Sequence, residues 1–70
     1  MIKIIKHSFD FYVIQDDARI EQFCVMVKTE YGFSQQISRW YFRRGYAIKA
    51  YNKILREHTR KILDRKELIL

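Results

Sequence analysis

The chain has 70 residues, 49% of them hydrophobic and 16% aromatic, with a net charge of +6. That richness excludes a disordered chain, and the length excludes more than one small domain. Two glycines, no proline and one cysteine exclude a turn-dense barrel, a disulfide scaffold and a structural zinc site.

The charge is uneven. Residues 1–34 hold four basic and five acidic side chains, a balance of −1, whereas residues 35–70 hold ten against three, +7. A basic half of this kind attracts phosphate, and counterion release makes the attraction salt-dependent.

In chain order, Met1–Lys6 is isoleucine-rich and alternates weakly, which fits a short strand or an ordered arm. The N-terminal stretch lacks the long apolar core and small-residue cleavage site of a signal peptide. No run approaches the length of a membrane span, so a cytoplasmic protein with no membrane partner is expected. Phe9, Phe11, Tyr12, Val13 and Ile14 form a dense apolar run, read as helix over 8–14 with Ser8 as cap. Asp16 or Asp17 is a suitable N-cap for a helix over 17–31. In that segment Ile20, Phe23, Cys24, Val27 and Tyr31 recur at helical spacing, and Gly32 is placed as a left-handed stop. Cys24, on the apolar face, is expected to be a small buried hydrophobe rather than a reactive thiol.

Ser34 then caps a helix over 34–44, with Ile37, Trp40 and Tyr41 on one face, Trp40 buried and Gly45 as terminator. A last helix starts near Ala47 and continues to about Lys66. Ile48, Tyr51, Ile54 or Leu55, His58 and Ile62 repeat along one side, with Lys49, Lys53, Arg56, Arg60 and Lys61 on its flanks. The expected fold class is therefore all-α: one small helical domain over 1–70, with a helix-turn-helix at about 17–44 and a possible N-terminal strand or arm.

The segment around Gly32 carries the chemistry. Helix, glycine turn and polar-faced helix form the layout that places a second helix in the major groove. Glutamine pairs with adenine N6 and N7, and arginine with guanine O6 and N7. Gln35, Gln36, Ser38 and Arg39 are thus candidate base readers, and Tyr41, Arg43, Arg44, Tyr46 and Lys49 candidate phosphate contacts. The stretch resembles the helix-turn-helix of phage Cro proteins and phage repressors. Gly32, Phe33, Ser34, Gln35, Ile37, Ser38, Arg39, Trp40, Arg44 and Gly45 stand at positions of that pattern, within residues 20–55. Gly32 to Ile37 is one residue shorter than the pattern, and Val27 or Lys28 stands where the first helix usually carries a small residue. The resemblance implies a DNA-binding transcriptional regulator acting on double-stranded DNA, with Gln35 and Gln36 as base readers.

The small core and the apolar end Leu68-Ile69-Leu70 point to a homodimer or a protein partner. An alternative function is an antirepressor or inhibitor that binds a nucleic-acid-binding protein instead of DNA. Asp16 and Asp17 are adjacent and point apart, His7 and His58 have no partner at ligand spacing, and no nucleophile–base pair stands out. Neither an enzyme nor a cofactor or metal is expected.

Overall fold

The computed structural model describes the backbone of residues 1–69 and the side chains of residues 1–61. Four strands, β1 (Ile2–Ser8), β2 (Phe11–Asp16), β3 (Phe23–Lys28) and β4 (Ser34–Gln36), form one sheet in the order β1-β2-β3-β4. Every neighbouring pair is antiparallel. One long helix, α1 (Arg44–Ile69), follows and packs on β2 and β3. The architecture is thus a meander covered on one face by a helix, which overturns the all-α expectation.

Three expected helices are absent. Residues 8–14 contain the β1–β2 turn and most of β2, where Phe11-Tyr12-Val13-Ile14 supplies the aromatic and β-branched side chains that suit a pleated surface. The segment 17–31 is a connection, then β3, then a turn. Its apolar spacing misled because β3 is an interior strand, with β2 on one side and β4 on the other. Cys24 and Val25, consecutive residues facing opposite sides of the sheet, are both fully buried. A strand buried on both faces reads as an unbroken apolar run, which matches a helical template as well as a strand template. Residues 34–43 form the short β4 and an irregular passage rather than a second helix, and Arg44 already belongs to α1. That passage returns to β3 through paired backbone bonds between Phe23 and Tyr41: the Tyr41 N–H donates to the Phe23 carbonyl at 2.7 Å, and the Phe23 N–H to the Tyr41 carbonyl at 3.1 Å. There is accordingly no helix-turn-helix at 17–44.

The core lies between sheet and helix. Val13, Val25, Ala47 and Tyr51 have no exposed surface, and Ile5, Phe11, Phe23, Tyr41, Ile48, Ile54 and Leu55 pack around them. The register explains the set, because Val13 faces Val25 and Phe11 faces Val27 across β2 and β3. A bulge between Ile4 and Lys6 lets β1 contribute Ile5 to the same side. The helix begins beside Tyr41, at the start of β3, and its His58 reaches Phe11 at the other end, with ring centroids 5.1 Å apart. At about 1.5 Å per residue, 26 residues extend about 39 Å, nearly twice the length of a six-residue strand.

The two glycines now have different duties. Gly32 does adopt a left-handed φ of +84°, yet it closes the β3–β4 turn instead of ending a helix. Gly45 is the second residue of α1 and ends nothing. Neither position has a neighbour within 4 Å of an added Cβ. Gly32→Ala is therefore expected to destabilise by about 1 kcal/mol, from backbone strain alone. Gly45→Ala is expected to stabilise by about 0.5–1 kcal/mol, from helix propensity. Urea unfolding of both variants checks the opposed signs.

Candidate nucleic-acid interface

At 100° per residue, Ala47, Tyr51, Ile54 and His58 fall on one line along α1, the line that meets the sheet. Lys49, Lys53, Arg56 and Arg60 follow the same i, i+4, i+7, i+11 spacing on the opposite side, and all four are exposed. Burial of the first line thus forces the second into solvent as a single basic stripe. Its ends are 11 residues apart, about 16 Å along the axis, the length occupied by roughly five phosphates of one DNA strand.

The stripe continues into a shallow groove. Tyr41, Tyr46, Lys49, Ala50, Lys53 and Arg56 line one open hollow, and Lys53, Arg56, Glu57 and Arg60 line the next. The two share Lys53 and Arg56 and so adjoin, with Tyr41 and Tyr46 beside the first and Glu57 among the cations of the second. The Arg39 guanidinium lies 5.9 Å from the Tyr41 ring centre. Among the described residues the only ion pair joins the N-terminal ammonium to Asp17, so no stripe cation is neutralised by a described carboxylate within 4 Å. No acidic residue occupies the first turn of α1; Arg44 opens it, preceded by Arg43. Cations at a helix N-terminus oppose the macrodipole, and the joint positive field there suits an anion.

The nine candidate contacts are distributed as follows. Tyr41, Tyr46 and Lys49 meet in the groove, with Arg43 and Arg44 at the helix start. Gln35 and Gln36 sit on β4, not on a helix, and as neighbours on a strand they point to opposite faces. They do not form one reading surface. The Gln36 side-chain amide donates to the Ser38 carbonyl at 2.7 Å. Ser38 is occupied structurally: its hydroxyl accepts from the Val25 N–H at 2.8 Å and donates to the Arg39 carbonyl at 2.9 Å. Arg39 remains exposed. The side chains of Leu68 and Ile69, and Leu70 as a whole, lie outside the described residues. Lys53, Arg56 and Arg60 join the site as well; the sequence set them on the helix flanks without reading them as contacts, and their spacing with Lys49 was the available signal.

Elsewhere, Trp40 is half-buried, and the Arg19 guanidinium stacks 3.9 Å from its ring centre. Asp16 caps a turn rather than a helix, its carboxylate accepting from the Ala18 N–H at 3.1 Å. Cys24 is fully buried, and loss of hydration pushes its thiol up to about 11. Labelling of Cys24 by a thiol reagent at pH 8 is expected to be slow in the native protein and complete once urea unfolds it. Fast native labelling would contradict this burial. No described helix is long and apolar enough to cross a membrane, and no group of three metal-ligating side chains occurs among the described residues. No protein family, curated protein or solved structure matches the chain.

Proposed function

We propose that this protein binds double-stranded DNA through the phosphate backbone and regulates transcription by occupying the DNA it binds. The observation that carries the reading is the basic stripe Lys49–Lys53–Arg56–Arg60, held in solvent by burial of the opposite helix face and open to phosphates. Tyr41, Tyr46, Arg43, Arg44 and Arg39 extend the contact at the helix start, where phenolic hydroxyls and guanidinium groups donate to phosphate oxygens. The positioning surface is a helix side rather than a helix tip, so affinity in this reading is mainly backbone affinity. Sequence preference would come from Arg39 or from duplex shape.

The test is a titration of the full chain against a labelled random-sequence duplex at 50 and 200 mM salt. The four stripe contacts alone correspond to a log–log slope of about −3.6, or roughly a hundredfold weakening over that range, and Arg39, Arg43 and Arg44 steepen it further. Absence of binding at 50 mM overturns the proposal.

A further inference from the structure

A second surface lies away from the stripe. Because β1, β2, β3 and β4 alternate in direction, the β1–β2 and β3–β4 turns share one end of the sheet. The Lys28 N–H joins them by donating to the Asp10 carbonyl at 2.8 Å. Three large aromatic side chains stand in solvent there: Phe9 73%, Tyr31 85% and Phe33 73% exposed. Phe9 has a left-handed φ of +55° in a two-residue hairpin turn, a conformation that favours glycine. A bulky side chain is thus retained at a strained position while most of its surface faces water. Such a placement costs stability, and the ring's tilted approach to His58, at 6.4 Å between centroids, leaves most of it uncovered.

Tyr31 and Phe33 wall an open hollow whose other sides include Asp10 and Glu30. Both carboxylates are exposed and without a described cation within 4 Å. With Lys28 also at the rim, the local balance is −1, opposite in sign to the helix stripe. Aromatic faces beside unpaired carboxylates repel a phosphate chain. They accommodate a guanidinium, which stacks on a ring and donates to carboxylate oxygens together. The turn itself is built to hold its shape: the Thr29 N–H donates to the Phe33 carbonyl at 2.7 Å, and the Phe33 N–H to the Thr29 hydroxyl at 3.2 Å.

We infer that this turn end is a docking surface for a protein segment carrying arginine beside an apolar side chain, the arginine seated between Tyr31, Phe33, Asp10 and Glu30 and the apolar group on Phe9. The inference is independent of DNA binding by α1, so either can fail without the other.

The experiment is an amide NMR titration of the full chain with three probes: the peptide acetyl-Gly-Arg-Leu-Arg-Gly-amide, its counterpart with glutamate for arginine, and an eight-nucleotide oligothymidine. The arginine peptide is expected to shift Asp10 and residues 29–35 saturably, and the glutamate peptide to leave them unmoved. Asp10→Asn with Glu30→Gln, and separately Phe33→Ser, should weaken binding at least fivefold without lowering Tm. Phe9→Gly should raise Tm and weaken binding together. No shift with the arginine peptide, equal shifts with both peptides, or a larger response of the same amides to oligothymidine would overturn the inference, the last by making this a nucleic-acid surface.

Discussion

Replacing Lys49, Lys53, Arg56 and Arg60 together by alanine is expected to flatten the salt dependence of duplex binding, leaving only the share carried by Arg39, Arg43 and Arg44. Each phosphate contact removed lowers the slope of log K against log salt by about 0.9, so four remove about 3.6. At 50 mM salt the variant should bind at least a hundredfold more weakly, and equally so on every sequence, because phosphate contacts carry no base information. The fold should survive. All four side chains point away from the sheet, and alanine has the highest helix propensity. Circular dichroism and Tm near the parent values would show that the loss is one of contact, not of structure. A variant that binds as well as the parent would remove the stripe from the interface.

Two substitutions at Tyr51 are expected to move stability in opposite directions. Its ring is fully buried between Val13, Val25 and Ala47, with the Lys6 ammonium 5.7 Å from the ring centre. Tyr51→Ala removes the largest fully buried side chain and leaves a cavity, at a cost of about 3–5 kcal/mol. A domain of this size has a total stability of roughly 4–10 kcal/mol, so that single change takes away a large share of it. Tyr51→Phe differs, because the Tyr51 hydroxyl is buried without a hydrogen-bond partner among the described residues. A buried hydroxyl that has surrendered its water and gained nothing costs about 1–3 kcal/mol. With no partner among the described residues, deleting the hydroxyl while keeping the ring is expected to stabilise by about 1 kcal/mol, raising Tm by about 4–8 °C. Thermal unfolding of the two variants tests both signs. A destabilised Tyr51→Phe would mean that the hydroxyl has a partner in solution.

Particular residues show where the sequence was legible. The helix expected from Ala47 is present and three residues longer at its start, because Arg44, Gly45 and Tyr46 join it. Ile2–Ser8 takes the strand option left open for the N-terminus. Cys24 is the buried hydrophobe its apolar neighbours implied. The ten residues that resemble a phage helix-turn-helix were instead distributed over a turn, a three-residue strand, an irregular return and the start of α1. The shortened interval between Gly32 and Ile37 was the local sign that the motif was incomplete. Gly32 was assigned its backbone conformation correctly and its context wrongly, since a left-handed glycine closes a hairpin as readily as it ends a helix.

By itself the sequence determined the properties carried by composition and by one unambiguous period. These are a single small apolar core, a basic second half, and a C-terminal helix whose buried and charged lines are both four residues or more long. Only the tertiary structure decided the state of residues 8–44. Segments such as Phe11–Asp16 and Phe23–Lys28 are too short and too uniformly apolar for a period to be read, and their backbone hydrogen bonds are satisfied by partners distant in the chain. Pairing of Val13 with Val25 and of Phe23 with Tyr41 is a non-local choice. It places Gln35 and Gln36 on opposite faces of a strand, brings Tyr41 to the foot of α1, and so moves the candidate DNA contact from a recognition helix that does not form to the side of the helix that does.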